Sequence, residues 1–190
     1  MKAPSLENHR VKLSLLDLSN YKHLLDIAQQ PNLVQYSPSK IDTPEDLKGY
    51  VQTAVDAYYH KSALPFIILD KQTNTYAGST RFALINWQNK LLHIGWTWIG
   101  KEFQGSGLNL HMKYLMLEYA FETLNFDKVC FTVDERNTRS RKAVEKIGAS
   151  LEGILRKDVL MLDGFKRSTC YYGILKEEWP EIKSVIIAQL

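Results

Sequence analysis

The chain has 190 residues, of which 45% are hydrophobic and 24% are charged, and its formal net charge is +3. A chain of this length suits one domain, here residues 1–190, and it holds enough apolar side chains for a substantial core. The small net charge argues against nucleic acid as a partner, and apolar runs such as residues 66–69 are too short to cross a bilayer, so we expect no membrane contact.

The two cysteines, Cys130 and Cys170, each lie in an apolar run and lack the spacing of metal ligands. The start of the chain shows no signal peptide. We therefore expect a reduced, cytoplasmic protein without a metal.

The first part of the chain predicts one strand and two helices. Residues 11–15 alternate between apolar and polar, as in a half-buried strand. Residues 17–29 place apolar side chains at helical spacing, and Pro31 ends that helix. Thr43 and Pro44, followed by two acids, are a typical helix start, so a second helix is expected from there to about residue 60.

A predicted hairpin leads into the segment around which the rest of the chain is arranged. Residues 65–69 and 76–85 are the strands of the hairpin. Residues 91–99 are apolar and rich in aromatic side chains, which is typical of a strand buried on both faces. From Leu108 the apolar residues fall three or four apart, which indicates a helix.

The rest of the chain adds a strand, a short helix ending at Gly148, a hairpin and a terminal helix. These elements are expected at residues 128–133, 137–147, 151–162 with 167–175, and from 177 onward. The crossover through the central helix makes its two flanking strands parallel, whereas hairpin strands are antiparallel. The expected fold class is α/β (α+β), with a mixed, mostly antiparallel sheet of about seven strands and helices on both faces.

The turn between the central strand and its helix has the composition of an anion site. Gly105 and Gly107 lack a Cβ and let the backbone come close to a ligand. The helix that begins at Leu108 opens with unpaired N–H groups and the positive end of its dipole. Phosphate is the usual anion at such a site.

Three kinds of phosphate ligand compete for this turn. A nucleotide P-loop needs a lysine followed by Ser or Thr where this chain has Leu108 and Asn109, so that ligand is nearly excluded. A dinucleotide fingerprint needs a small residue where Leu110 stands, so a dinucleotide is disfavoured as the ligand. The third ligand is a diphosphate held by successive backbone N–H groups without a lysine.

The third pattern, Gln/Arg-x-x-Gly-x-Gly/Ala after a strand, resembles the hallmark of the GNAT superfamily of acetyl-CoA-dependent N-acetyltransferases. Similar segments occur along essentially the whole chain, at Arg10–Leu13, Asn137 with Ser140, Glu145–Ala149, Glu152–Arg156 and Glu178–Trp179. Together they resemble the branch that includes the ribosomal-protein N-terminal-amine acetyltransferases. The resemblance implies the fold of that family, in which the central parallel strands splay apart and the cofactor arm enters the gap.

The resemblance also implies a site for acetyl-CoA, which would act as a cosubstrate without a metal. The diphosphate would be held by the backbone of Gln104, Gly105, Ser106, Gly107, Leu108 and Asn109. Backbone N–H groups near Trp98 and Ile99 would face the thioester oxygen. Asn137 and Ser140 would lie beside the pantetheine arm and its sulfur.

Two departures from the family pattern affect this site. Asn109 stands where Gly or Ala is preferred. Val144 stands where many relatives have a tyrosine that acts as an acid toward the thiolate, which leaves Ser140 or water for that role. Lys113 and Arg139 are candidates for phosphate contacts, or for ordinary surface charge.

The general base is left open by the residues. Relatives often have a glutamate where this chain has His93, whose reference pKa of ~6.5 allows it to accept a proton at neutral pH. A histidine bonded within the sheet is the alternative. Asp158 is a second candidate base, against a solvent-facing carboxylate. Strict alternation predicts that His93 and Thr97 share one face of the central strand, and that Trp96 and Trp98 share the other.

Aromatic residues supply the candidates for the acceptor end of the site. Tyr36, in the loop after the first helix, and Trp96, on the central strand, are the predicted substrate contacts. Trp87, Trp98 and Tyr172 are further candidates, although aromatic residues in strands are usually part of the core.

The free energy of deprotonation bears on the acceptor. An α-amine with a reference pKa near ~8 is about one-tenth neutral at pH 7, whereas a lysine side chain at ~10.4 is neutral about once in 2,500 molecules. The difference, roughly 3 kcal/mol, must be supplied with the help of a base. Because no carboxylate base is assured, a protein N-terminus or a small amine is favoured over a lysine side chain.

We therefore predict an N-acetyltransferase that moves an acetyl group from acetyl-CoA to a primary amine by direct transfer in a ternary complex. Neither cysteine has a visible histidine partner, so no covalent acetyl-enzyme is expected. The alternatives are a CoA-binding module without turnover and a dinucleotide-binding oxidoreductase. A homodimer is common among the relatives that the chain resembles.

Overall fold

The computed structural model describes residues 3–190 and shows eight strands in one sheet. The strands are β1 (Leu6–Glu7), β2 (Val11–Leu15), β3 (Leu64–Asp70), β4 (Thr75–Asn86), β5 (Leu91–Ile99), β6 (Lys128–Asp134), β7 (Ser150–Leu160) and β8 (Lys166–Leu175). The α-helices are α1 (Leu25–Ala28), α2 (Pro44–Tyr59), α3 (Leu108–Glu118), α4 (Thr138–Lys146) and α5 (Trp179–Ile187). Adjoining them are 3₁₀ turns at Tyr21–Leu24, Lys101–Phe103 and Lys176–Glu178, and a π-helical turn at Tyr119–Thr123.

The strand order β1-β2-β3-β4-β5-β6-β8-β7 confirms the predicted mixed sheet. Neighbouring strands are antiparallel. The exception is the pair of β5 and β6, which are parallel because α3 forms the crossover between them. The strand beyond the seven expected is β1, whose two residues are too few to show a period in the sequence.

The parallel pair separates part-way along its length. β5 and β6 pair through Leu91–His93 and Lys128–Cys130. Beyond these residues β5 continues to Ile99 and β6 to Asp134, with no bridge between them in the described part of the chain. The predicted splay of the central strands is therefore confirmed, and we call the gap between them the cleft.

Apolar layers cover both faces of the sheet. On one face, α3 and α5 share a core with the strands that includes Leu92, Ile94, Met112, Met116, Phe131 and Ile186. On the other face, α1, α2 and the 3₁₀ turn at Tyr21–Leu24 pack against the sheet. Their shared core includes Leu24, Ile27, Leu47, Val51, Ile67 and Trp98. Full burial of a side chain of this size contributes roughly 1.5–3 kcal/mol, so these two layers hold β5 in place from above and below.

A β-bulge interrupts β5. Trp96 has a left-handed backbone (φ 49°), which is rare for a bulky residue. The register between β4 and β5 shifts at the same level, between Ser79 and Arg81. Because a bulge adds one residue to one strand, the alternation of side chains reverses beyond it.

The bulge corrects the predicted faces of β5. Lys113 Nζ donates to Thr97 Oγ1 at 3.0 Å, so Thr97 lies on the α3 face. Trp98 lies on the opposite face, with its ring centroid 6.2 Å from that of Tyr50 on α2. His93 falls between two core residues of the α3 face and therefore shares the α2 face with Trp98. The prediction that His93 and Thr97 share a face is wrong.

The first two helices differ in how well the sequence predicts them. α2 begins as expected, with Thr43 as its N-cap and a 3.1 Å hydrogen bond from the Asp46 N–H to the Thr43 hydroxyl. The helix predicted over residues 17–29 is instead a 3₁₀ turn followed by one α-helical turn. The Asp17 carboxylate accepts a hydrogen bond from the Ser19 N–H at 2.7 Å, which holds the chain in a turn where the helix would begin.

A lysine on α3 is buried beneath the cleft. Lys113 is 5% exposed, its Nζ donates to Thr97, and the Phe131 ring centroid lies 5.8 Å from that nitrogen. No carboxylate among the described residues forms a salt bridge with it. Burial lowers the pKa of Lys113 from 10.5 to about 7.

Replacing Lys113 with methionine is expected to flatten the pH dependence of stability. Between about pH 7 and pH 10 the unfolded chain binds more protons at this position than the folded chain does. The wild-type free energy of unfolding therefore rises with pH in this window, by up to about 1.4 kcal/mol per unit, and the full penalty applies below it. Urea unfolding of both proteins across the window measures the slope.

The control is Lys48→Met, which removes an exposed helical lysine. This variant should keep the wild-type slope. If Lys113→Met also keeps it, Lys113 is not buried as a neutral amine.

Candidate active site

The loop between β5 and α3 presents unbonded backbone N–H groups. Gly105 and Gly107 adopt left-handed conformations, with φ of 78° and 86°. The N–H groups of Gly105, Gly107 and Asn109 donate to no other group that the structure describes. The Leu108 N–H reaches the Ser106 hydroxyl at a long 3.4 Å. With the N-terminus of α3, these unbonded donors are the groups by which a backbone binds an anion without a lysine.

Side chains brace this loop. Gln104 Nε2 donates to the Ile99 carbonyl at 3.1 Å, and Arg139 Nη1 donates to Gln104 Oε1. The Ser106 hydroxyl donates to the Phe103 carbonyl at 2.7 Å. Arg139 therefore joins α4 to the loop while remaining exposed, and its contact with phosphate stays a prediction.

The end of β5 turns main-chain groups into the cleft. The Gly100 N–H donates to the carbonyl of Ala77, a residue of β4, at 2.9 Å. Successive residues of an antiparallel strand direct their main-chain groups to opposite edges, so the N–H and C=O of Ile99 face the cleft. The bond from Gln104 to the Ile99 carbonyl agrees with this direction. The same rule turns the Trp98 N–H toward β4.

A cavity of about 530 Å³ follows the cleft and joins this loop to the segment before α2. Most of the predicted site residues line it, namely Tyr36, His93, Trp96, Trp98, Ile99, Gln104, Gly105, Asn109, Asn137, Ser140 and Asp158. Ser106 and Gly107 are exposed beside it and Leu108 is buried in the core. Two aromatic candidates are wrong, because Tyr172 is fully buried in the core and Trp87 lies outside the cavity.

The two predicted contacts on α4 differ in how free they are. Asn137 is the N-cap of α4, and its side-chain oxygen accepts a hydrogen bond from the Ser140 N–H at 3.1 Å. The Ser140 hydroxyl lines the cavity and bonds to no described residue. Val144 lies in the cavity wall without a proton to give.

His93 sits where β5 and β6 separate. Its Nδ1 is buried and has no hydrogen-bond partner among the described residues, unlike a histidine held within a sheet. Burial, with a smaller effect from the Lys128 ammonium, lowers the pKa of His93 below 6.5. The imidazole is therefore neutral at pH 7 and able to accept a proton.

Asp158 borders the cavity from the late hairpin. Its side chain is exposed, and its Oδ1 accepts a hydrogen bond from the Thr169 hydroxyl at 2.7 Å. The other carboxylate oxygen makes no hydrogen bond to any described residue. Asp158 is therefore exposed to solvent, as the alternative of a surface carboxylate predicts, and it also borders the cavity.

The acceptor end contains residues that the sequence did not single out. The Tyr36 carbonyl accepts a hydrogen bond from Arg167 Nη1 at 2.7 Å, which ties the segment before α2 to β8. Tyr50 and Arg167 both line the cavity. Tyr50 follows Leu47 at helical spacing, so the signal for an inward position was present in the sequence.

Lys113 and the cysteines complete the surroundings of the cleft. Lys113 lines the cavity from the α3 side and is neither solvated nor at the phosphate loop, which corrects both predictions for it. Cys130 and Cys170 are buried free thiols, and burial raises the pKa of each. Across residues 3–190, no helix is long and apolar enough to span a membrane, and no cluster of side chains is arranged to hold a metal.

Comparisons with known proteins agree on one family. The model of the acetyltransferase (GNAT) domain matches residues 10–150. The Bacillus subtilis protein YdaF, named as a candidate ribosomal N-acetyltransferase, is 37% identical over 91 residues, so the match spans 48% of this chain and 49% of YdaF.

Solved structures share the fold over nearly the whole chain. A candidate acetyltransferase from T. thermophilus is 31% identical, with a TM-score of 0.89 over 100% of this chain and 98% of that one. The ribosomal-protein-S5-alanine acetyltransferase from Vibrio fischeri is 20% identical, with a TM-score of 0.76 over 93% of this chain and 98% of that one, a likeness of fold alone. The chain belongs to the GNAT acetyltransferase family, as the matched family model shows and as the splayed strands and the glycine loop agree.

Proposed function

We propose that this chain transfers an acetyl group from acetyl-CoA directly to a primary amine within a ternary complex. The observation that carries the proposal is the cleft, because β5 and β6 part beyond His93 and one cavity joins the unbonded N–H groups of the loop to the acceptor end. Membership of the family supports acetyl transfer over the dinucleotide-linked alternative. A CoA-binding module without turnover is the competing function that experiment must separate.

The main chain would hold acetyl-CoA at two places. The N–H groups of Gly105, Gly107 and Asn109 suit the diphosphate, since they are unbonded and lie at a helix N-terminus. The cleft suits the pantetheine arm, beside Asn137 and Ser140. The Ile99 N–H is proposed to donate to the thioester oxygen, where a hydrogen bond gains strength as negative charge develops.

The reaction requires two proton movements. The amine nitrogen attacks the thioester carbon as the C–S bond breaks, the amine loses a proton and the departing thiolate gains one. We assign His93 as the acceptor of the amine proton, with Asp158 as the second candidate. Ser140 or a water molecule would supply the proton to the thiolate, because Val144 cannot.

The proposed acceptor is a protein N-terminus or a small amine. A neutral histidine is a weak base, and it suits an α-amine better than a lysine side chain that costs roughly 3 kcal/mol more to deprotonate. The name of YdaF refers to ribosomal acetylation, which supports a ribosomal protein as one such acceptor.

Gly107→Ala is expected to weaken CoA binding by about five- to thirtyfold, because a Cβ disfavours the left-handed backbone by ~1–2 kcal/mol and redirects the loop N–H groups. Gly164→Ala is the matched control. Gly164 is also left-handed (φ 82°) with open space around it, but it lies in the turn between β7 and β8. Calorimetry with CoA measures both variants, and equal affinities would count against the loop.

His93→Gln is expected to lower kcat by at least about tenfold and to remove the acidic limb of its pH profile. Since burial lowers the pKa of His93, the wild-type rate should fall only below about pH 6.5, as the imidazole becomes protonated. Asp158→Asn is measured in parallel. If Asp158→Asn removes the limb and His93→Gln does not, the assignment of the base is reversed.

Peptides with a free N-terminus are expected to be acetylated faster than matched peptides whose only amine is a lysine side chain. Release of CoA thiol from acetyl-CoA, followed over a panel of peptides and small amines, measures the preference. A preference for lysine would contradict the proposed acceptor. Binding of CoA with no turnover on any amine would replace the enzyme by the binding module.

A further inference from the structure

Near the end of the cavity proposed for the amine substrate, several buried hydrogen-bond donors have no hydrogen-bond partner among the described residues. Arg81 is 5% exposed, and its Nε and Nη2 are buried with no partner in the described part of the chain. The Ser79 hydroxyl and the Trp98 Nε1 are buried and unpartnered as well. We call Ser79, Arg81 and Trp98 the donor cluster.

The register of the sheet places the donor cluster on one face. Ser79 and Arg81 are two residues apart on β4 and therefore point the same way. Ser79 lies opposite Trp98, whose ring is 6.2 Å from that of Tyr50 on α2. Tyr50 also covers Arg81, with 4.6 Å between the guanidinium carbon and the ring centroid. Arg81 and Trp98 therefore both lie against Tyr50, a residue of the cavity wall, and Ser79 lies beside Trp98.

The guanidinium of Arg81 is the anomaly in this cluster. Arginine stays charged in proteins, and a buried charge is ordinarily paired with an opposite one. The rings of Tyr50 and Trp96, at 4.6 and 5.3 Å, attract the cation through their faces but accept none of its in-plane N–H groups. No carboxylate of the described residues bonds to Arg81.

We propose that the donor cluster binds a carboxylate carried by the acceptor, so that the substrate is an amine that also bears a carboxylate. This inference rests on the proposed function. A carboxylate matches the planar edge formed by Nε and Nη2 of Arg81, and its negative charge is balanced by one guanidinium. A phosphate, with up to two negative charges, would face a single cation.

A ligand reaches the donor cluster past the side chains that cover Arg81, which are those of Tyr50 and Trp96. Tyr50 and Trp96 both line the cavity, and Trp96 is 39% exposed. Neither Ser79 nor Arg81 lines the cavity, so binding at Arg81 requires the Trp96 indole to move away from the guanidinium. The Tyr50 hydroxyl donates to the Trp96 carbonyl at 3.2 Å, which keeps the backbone in place while the side chain moves.

Binding without turnover tests the cluster first. The probes are N-acetylglycine and N-acetyl-γ-aminobutyrate, each compared with its own amide, since none of them has a free amine to acetylate. At least one carboxylate should bind about tenfold or more tightly than its amide and shift the NMR signal of the Trp98 Nε1–H, which is identified by its loss in Trp98→Phe. Arg81→Gln should abolish the difference.

The matched control is Arg156→Gln, which removes an exposed arginine on β7 outside the acceptor cavity and should leave the preference intact. Ser79→Ala and Trp98→Phe each remove one donor while keeping the charge, and each should reduce the preference in part. These variants keep the test decisive if Arg81→Gln does not fold. Equal binding of acids and amides by the wild type, or a preference that survives in Arg81→Gln, overturns the inference.

Turnover separates this inference from the function on which it rests. γ-Aminobutyrate should be acetylated with a kcat/KM at least about tenfold above that of its amide, and Arg81→Gln should equalise them. Turnover of both at equal rates overturns the carboxylate subsite and leaves acetyl transfer standing. A carboxylate preference in binding with no turnover on any amine overturns acetyl transfer and leaves the carboxylate subsite standing.

Discussion

The separation of β5 from β6 after the His93–Cys130 pair is the constraint on which the site depends. Backbone N–H and C=O groups need partners, and beyond this pair the facing edges of the two strands cannot supply them to each other. Apolar layers pack on both faces of the sheet around these two strands. In the part of the chain that the structure describes, the sheet thus lacks a strand between β5 and β6, and an extended ligand with amide groups of its own has the groups needed to pair with their free edges.

Around this opening the protein holds donors in excess of acceptors. The glycine loop presents free N–H groups, Lys113 lies beneath the cleft without a carboxylate, and Arg81 lies on the opposite face in the same condition. The two buried side chains cost stability in the absence of a ligand, whereas the loop N–H groups of Gly105 and Gly107 are exposed to water. Such a cost is ordinary at a functional site, where local rules of satisfaction are broken for binding.

Periodicity and capping were sufficient to predict most elements, because both are local. β5 has the predicted bounds, and the Thr43 cap starts α2 as expected. The bulge at Trp96 could not be predicted this way, since it depends on the register with β4. The burial of Lys113 also depends on tertiary structure, because helical spacing does not say that a cleft lies above that side chain. Within the site, the loop was predictable from its glycines, whereas the donor cluster needed the fold.

The burial of the cysteines has a practical consequence. A thiol reacts as its thiolate, and Cys130 and Cys170 are shielded from solvent with pKa values raised by burial. A thiol-selective dye added near neutral pH should therefore leave the folded protein unlabelled. In an assay of the proposed acetyl transfer, the colour that develops would then report free coenzyme alone, with no need to alkylate or mutate the protein.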